Sequence, residues 1–126
     1  RVRLVQIDTP EVFFGVECYG RAASLRTKTL LLPGTRVWLV PEPASDRVDS
    51  YGRLLRYVIR VRGGVNVNLH LVAVGAAAPY FYQRERGKYA STLEVLARRA
   101  WARKLGLWRA CPRTRYNPYK GIATRR

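Results

Sequence analysis

The sequence predicts a mixed α+β domain, and three observations carry the prediction. Apolar and polar residues alternate with the two-residue period of strands over residues 1–7, 36–40 and 53–62. Apolar residues recur at three- and four-residue spacing over 19–32 and 88–105, the period of helices that bury one stripe. The chain of 126 residues is 48% apolar, which suits one compact domain and excludes a disordered segment. We divide it into a folded part, residues 1–108, and a basic irregular tail, residues 109–126.

The first strand places Arg3, Val5 and Ile7 on one face. It stops at Asp8-Thr9-Pro10, because proline has no N–H to donate and holds Thr9 extended. Residues 12–18 read as a loop. In the first helix Tyr19, Ala22, Ala23, Thr29 and Leu30 share a stripe, while Arg21, Ser24 and Lys28 face away; Pro33-Gly34 ends it. A short strand over 36–40 leads into a loop, 41–50, with two prolines and three acids. Residues 53–62 read as a half-buried strand. Leu55, Tyr57, Ile59 and Val61 share one face, and Leu54, Arg56, Val58, Arg60 and Arg62 the other. Gly63-Gly64 signals a turn. A short helix over 68–74 is capped by Asn66 or Asn68 and closed by Gly75. The last helix, about 88 to 105, aligns Tyr89, Leu93, Leu96, Ala97, Ala100 and Trp101, and Gly106 stops it. Trp38, Trp101 and Trp108 read as packing residues, and His70 as structural.

Twenty-four basic side chains against eight acidic ones give a formal charge of +16. Twenty of the basic residues are Arg, whose planar fork matches phosphate oxygens two at a time. Such an excess points to a polyanionic partner, nucleic acid above all. No apolar run approaches the roughly 20 residues of a membrane helix, and no signal peptide is visible. The chain has no Met and opens inside a strand-like pattern. It reads as a processed product or a fragment, so a targeting segment could have been lost with the missing start.

Two cysteines, Cys18 and Cys111, fit one disulfide joining distant parts of the chain and an exported protein, or two buried thiols. Neither has a CxxC partner and the lone His70 is remote, which argues against zinc.

The chemistry concentrates in Arg3 and Asp8-Thr9-Pro10-Glu11, with a second arginine in Asp49-Ser50-Tyr51-Gly52-Arg53. A phosphodiester resists attack because its charge repels nucleophiles. A catalyst must neutralise that charge, hold a water in line and stabilise a crowded transition state. Asp8 is a hard oxygen donor suited to calcium, and the Thr9 carbonyl could be a second ligand. Glu11 could approach the same ion, or orient or deprotonate the water. By plain alternation Arg3 sits on the strand face opposite Asp8, unless a twist or bulge intervenes. Glu17 reads as a loop-tethering hydrogen-bond partner. Taken singly, each motif is better read as part of a solvated turn with surface arginines.

Taken together and in order, the segments resemble the staphylococcal nuclease (thermonuclease) family. The resemblance rests on Arg3 with Asp8-Thr9-Pro10-Glu11, on Gly15-Val16-Glu17, Tyr19-Gly20 and Ala23-Ser24, and on Asp49 with Tyr51-Gly52-Arg53. It continues through Val67-Asn68, Leu71-Val72, Gly75, Ala77, Tyr80 and Tyr82 to Gly106-Leu107-Trp108. It implies an OB-type five-stranded barrel with three helices, of which this chain shows three strands; the first strands are missing. It implies that Arg3 and Arg53 bind the reacting phosphate, and that Asp8, Thr9 and Glu11 serve calcium, with Glu11 positioning the water. Tyr51 would bind a substrate phosphate, and Tyr80 and Tyr82 would line the nucleotide pocket. Ser50 stands where the family often has Lys. The family's further calcium-binding aspartate, in an Asp-Gly-Asp-Thr-type hairpin, falls before the point where this chain starts.

The expected function is therefore calcium-dependent hydrolysis of DNA and RNA, with single strands preferred, little sequence preference and 3′-phosphate ends. A monomer, secreted or extracytoplasmic, is expected. The alternatives are a non-catalytic nucleic-acid-binding OB module of the same ancestry, and a basic structural protein.

Overall fold

The computed structural model describes residues 1–12 and 16–123. Gly15, part of the resemblance above, and Arg125 and Arg126 of the tail lie outside the described residues.

Three strands form the main sheet, in the order β1 (Val2–Leu4), β4 (Leu54–Arg60), β3 (Val37–Pro41). β1 runs parallel to β4 with Arg3 opposite Leu55, and β3 runs antiparallel to it with Trp38 opposite Ile59. The predicted first strand is in fact two. Val5 still donates its N–H to the Arg56 carbonyl at 3.0 Å, but Gln6 adopts a left-handed backbone, φ 67°. The chain then leaves the sheet and pairs as β2 (Ile7–Asp8) with β5 (Ala78–Pro79). A non-glycine residue in this region is strained, so surrounding structure must hold it. Two side-chain bonds do so: Gln6 Nε2 donates to the Glu85 carbonyl, and its Oε1 accepts from Gly87 N–H, each at 2.7 Å.

The second helix lies on the sheet, and the first and third pack against that helix. In α1 (Gly20–Leu30) the buried residues are Gly20 and Ala23, whereas Ala22 and Thr29, expected inside, are exposed. The stripe is set by small residues that allow close approach, and it lies one step around the helix from the expected one. α2 (Val67–Ala73) is capped by the Asn66 side chain, which accepts from Leu69 N–H. In α3 (Ala90–Ala102) the buried residues Ala90, Leu93, Ala97 and Ala100 form the stripe. Trp101 falls one position past that stripe, is 60% exposed, and sits under the Lys104 ammonium. Trp38, on the edge strand β3, is also exposed among the described residues. Trp108 is half-buried against Tyr116. The core gathers Ile7, Val58, Val67, Leu71, Val72, Ala77, Phe81 and Leu93 between sheet and helices. Each of these side chains except that of Ala77 contributes about 1.5–3 kcal/mol on burial.

β4 is central and covered on both faces, not half-buried as its alternation suggested. Val58 enters the main core, and Tyr57 is fully buried on the other side. There its ring packs edge-on against Tyr89, 4.9 Å between centroids. Its hydroxyl donates to Glu42 at 2.6 Å. Glu42 is itself buried and also accepts from Ala44 N–H and Lys88 N–H. These bonds outweigh the cost of burial and hold the Glu42 carboxyl below the usual carboxylate range. Glu42→Leu strands three donors. It is expected to lower stability by about 3 kcal/mol and the Tm by roughly 10 °C, read by thermal unfolding.

Two further expectations are corrected. A fourth, short helix, α4 (Leu107–Ala110), follows α3. Its first N–H bonds Gly75, and Gly75 and Gly106 meet so closely that a Cβ on either would strike the other segment's backbone. The tail is not irregular either: residues 115–117 (β6) and 121–123 (β7) form an antiparallel hairpin. Its turn is the Asn117-Pro118-Tyr119-Lys120 segment, where Asn117 Oδ1 accepts from Tyr119 N–H. A disulfide between Cys18 and Cys111, S–S 2.01 Å, ties the base of this tail to the start of α1, so the two-thiol alternative is excluded. The sheets form no closed barrel among the described residues. The architecture is α+β with three small sheets.

Candidate active site

The left-handed turn at Gln6 is what assembles the site. It ends β1 just after Arg3 and reorients the chain before Asp8, so simple alternation no longer places the two on opposite faces. Charge coupling between Arg3 and Asp8 follows: Asp8 is the strongest opposing charge on Arg3, and Arg3 is the strongest on Asp8.

Arg3 and Arg53 line one cleft of about 500 Å³, with Asp46, Asp49, Tyr51, Tyr80, Tyr82 and Glu85 also on its walls. They also share a second, shallower cleft with Thr9, Pro10, Ser24 and Lys28. Arg3 lies on β1 and Arg53 immediately precedes β4, and the two strands pair at that end. Burial chiefly, and then the like charge of Arg53, pull the Arg3 guanidinium below its usual range. It stays charged at any physiological pH. Two cations held in one cleft repel each other, and an anion between them relieves that repulsion.

Arg53 is aimed by Asp49. Its Nε donates to Asp49 Oδ2 at 2.7 Å, while Asp49 Oδ1 accepts from the N–H groups of Tyr51 and Arg53 at 2.9 Å each. This turn fixes the guanidinium 5.4 Å from the Tyr51 ring centroid. The Asp49 carboxyl loses some hydration, but these hydrogen bonds outweigh that and hold it below its usual range. Tyr51 itself is exposed at the rim. Tyr80 and Tyr82 contact each other edge-on, 6.3 Å between centroids, and line the same cleft. Tyr80 N–H donates to the Gln6 carbonyl, which ties that segment to the strained turn. Phe81 between them is fully buried.

Asp8 lies on β2 and is half-buried; burial chiefly pushes its carboxyl up, against a hydrogen bond that Oδ2 accepts from Ile122 N–H at 2.8 Å. Thr9 borders the second cleft. Neither Asp8 nor Glu11 lines either cleft. Glu11 Oε1 accepts from Val12 N–H at 2.9 Å, and its own N–H is held by Glu17 Oε1 at 2.6 Å. Glu17 thus has the tethering contact expected of it. His70 stands apart, 3.4 Å from Arg26, and burial lowers its pKa.

Three participants escaped sequence reasoning. Gln6 carries no Gly or Asn signal for a left-handed turn. The Ile122 contact needs a hairpin that periodicity did not reveal. Asp49 was visible as a motif member, and its spacing of four to Arg53 was the available signal for an aiming role.

Comparisons with known proteins place the sequence in a family. The pattern of the family described as "Staphylococcal nuclease homologue" matches residues 1–110. In Bacillus subtilis (strain 168), Endonuclease YhcR is 38% identical over 89 residues, 64% of this chain and 7% of that protein. The SPbeta prophage-derived endonuclease YokF is 34% identical over 110 residues, 85% of this chain and 36% of its own length. Endonuclease YncB is 33% identical over 110 residues, 85% of this chain and 50% of its own length. The chain thus spans at most half the length of these relatives. With Arg3, Arg53 and Tyr80 gathered in one cleft and the family pattern running through all of them, this chain belongs to the staphylococcal nuclease homologue family.

Proposed function

We propose that this domain is the catalytic unit of a calcium-dependent endonuclease that hydrolyses DNA and RNA phosphodiesters with little sequence preference, leaving 3′-phosphate ends. The single observation that supports it best is the sharing of one cleft by Arg3 and Arg53, with Asp49 fixing the direction of the second. Two forks from different segments can grip non-bridging oxygens of one phosphoryl group and favour the transition state, where charge on those oxygens grows. Tyr80 and Tyr82 offer stacking surfaces to a base, and Tyr51 at the rim can donate to a neighbouring phosphate. Unstacked bases reach such a wall most easily in single strands, which are the preferred substrate in this reading. The formal charge of +16 draws in the polyanion without reading sequence.

Asp8 and the Thr9 carbonyl fit calcium in donor type, being hard oxygens, one of them anionic. They fall short in number, since such an ion takes six to eight oxygens and the described residues hold no cluster of three acidic, His or Cys side chains. Water and the substrate phosphate are natural sources of the rest. When bound there, calcium would offset phosphate charge during attack. Glu11 is the residue proposed to hold and deprotonate the attacking water, which requires its carboxylate to turn from Val12 N–H into the cleft. The ancestry implies that the three-stranded sheet is part of an OB-type barrel. We assign the protein to an extracytoplasmic compartment because it carries a disulfide, and treat it as a monomer. No helix among the described residues is long and apolar enough to cross a membrane.

The test is cleavage of single-stranded DNA. Activity is expected in calcium and absent in chelator, and Glu11→Gln is expected to slow it by about 100-fold or more with an unchanged Tm. Tight binding with no cleavage at any calcium concentration would instead identify a non-catalytic binding module.

A further inference from the structure

The hairpin β6–β7 lies beyond the residues that match the family, yet it touches the site on two sides. On one side Ile122 N–H donates to Asp8 Oδ2. Next to it Gly121, at φ 90°, packs so closely that a Cβ there would come within 2.6 Å of the same oxygen. On the other side the hairpin holds the segment that carries Tyr80 and Tyr82. Phe81 N–H donates to the Pro118 carbonyl, and Tyr116 hydroxyl donates to the Pro79 carbonyl, both at 2.7 Å. The Tyr119 ring lies 6.1 Å from Phe81 and under the Arg84 guanidinium at 4.5 Å. The disulfide at Cys111 anchors the base of the hairpin.

We propose that this hairpin is a positioning strap of the active site: it fixes the orientation of the Asp8 carboxylate and the placement of the Tyr80–Tyr82 wall. The inference rests on the nuclease reading above for what those groups do. A carboxylate that accepts a backbone N–H keeps one orientation, and outer partners of this kind tune how a carboxylate meets a cation. A wall pinned at Pro79 and Phe81 presents its tyrosines ready for a base, so less order must be gained on binding. The hairpin residues themselves touch no reacting atom in this scheme.

Two variants of the whole 126-residue chain, with the disulfide intact, test it. Gly121→Val pushes the hairpin off Asp8, by its side chain and by its unfavourable φ. Tyr116→Phe removes only the bond to Pro79. Two affinities are read: calcium alone by calorimetry, and a single-stranded deoxyoligonucleotide in EDTA. Gly121→Val is expected to weaken calcium at least tenfold. Tyr116→Phe is expected to weaken the oligonucleotide at least threefold and leave calcium unchanged. Both should melt within a few degrees of the parent, which a merely structural role would not separate from binding. The strap is overturned if both variants bind both ligands within twofold of the parent while hydrogen exchange shows the Ile122 amide released in Gly121→Val. It is also overturned if affinities fall only in proportion to lost stability. A parent that binds no calcium sinks the metal reading alone, because the oligonucleotide measurement with Tyr116→Phe still decides the strap.

Discussion

Arg53→Ala is expected to slow cleavage of single-stranded DNA by about 100- to 1000-fold, the loss typical of removing one preorganised donor to a developing oxyanion. The fold should survive. Arg53 is half-exposed just before β4, and Asp49 keeps the N–H groups of Tyr51 and residue 53 when the side chain is gone. The loss should fall mainly on kcat, because the guanidinium is worth most where phosphoryl charge peaks. Arg53→Lys should recover little of it. Lysine keeps the charge but loses the fork, and it cannot both donate to Asp49 through Nε and present two parallel N–H groups to phosphate. A full-speed lysine variant would mean that only charge matters at this position.

Reducing the Cys18–Cys111 bond is expected to cost about 4 kcal/mol of stability, roughly a thousandfold in the folding equilibrium. The bond closes a loop with a sequence separation of 93, and a cross-link of that span removes much of the unfolded chain's freedom. The structural consequence is local as well. Cys111 lies between α4 and the hairpin, and Cys18 follows Glu17, whose carboxylate holds Glu11 N–H. The measurement is urea unfolding of parent and of the Cys18→Ser/Cys111→Ser double variant, followed by tryptophan fluorescence. A difference under about 1 kcal/mol would show that residual structure in the unfolded chain already brings the two ends together.

How much of this was readable follows from what each residue's signal depends on. The helices were legible because periodic apolar residues report burial directly; Leu93, Ala97 and Ala100 are inside as their spacing requires. The strands β3 and β4 were legible for the same reason, but not that β4 would be central, because covering both faces depends on Glu42 and Tyr89 arriving from elsewhere. The tryptophans misled because bulk suggests packing, whereas an edge strand and a helix flank left Trp38 and Trp101 in water. Arg3, Asp8, Arg53, Tyr80 and Tyr82 could be named from motifs, yet the sharing of one cleft by all of them but Asp8 could not. It rests on one left-handed residue, Gln6, stabilised by Glu85 and Gly87 some eighty positions away. Glu11 shows the reverse: its identity was clear, but its side chain is turned aside by a local bond to Val12. The hairpin was missed because its strands are three residues each, too short for a period to show.

Whether Arg3 and Arg53 grip one and the same phosphoryl group is decided by a double-mutant cycle on kcat/KM. Arg3→Ala, Arg53→Ala and the double variant are assayed on one oligonucleotide in calcium. Groups acting as a unit lose their joint effect when either is removed, so the double variant should be slower than the worse single one by much less than the product of the two losses. Losses that multiply fully would mean that the two guanidinium groups act on separate phosphates, and the shared-cleft account would be wrong.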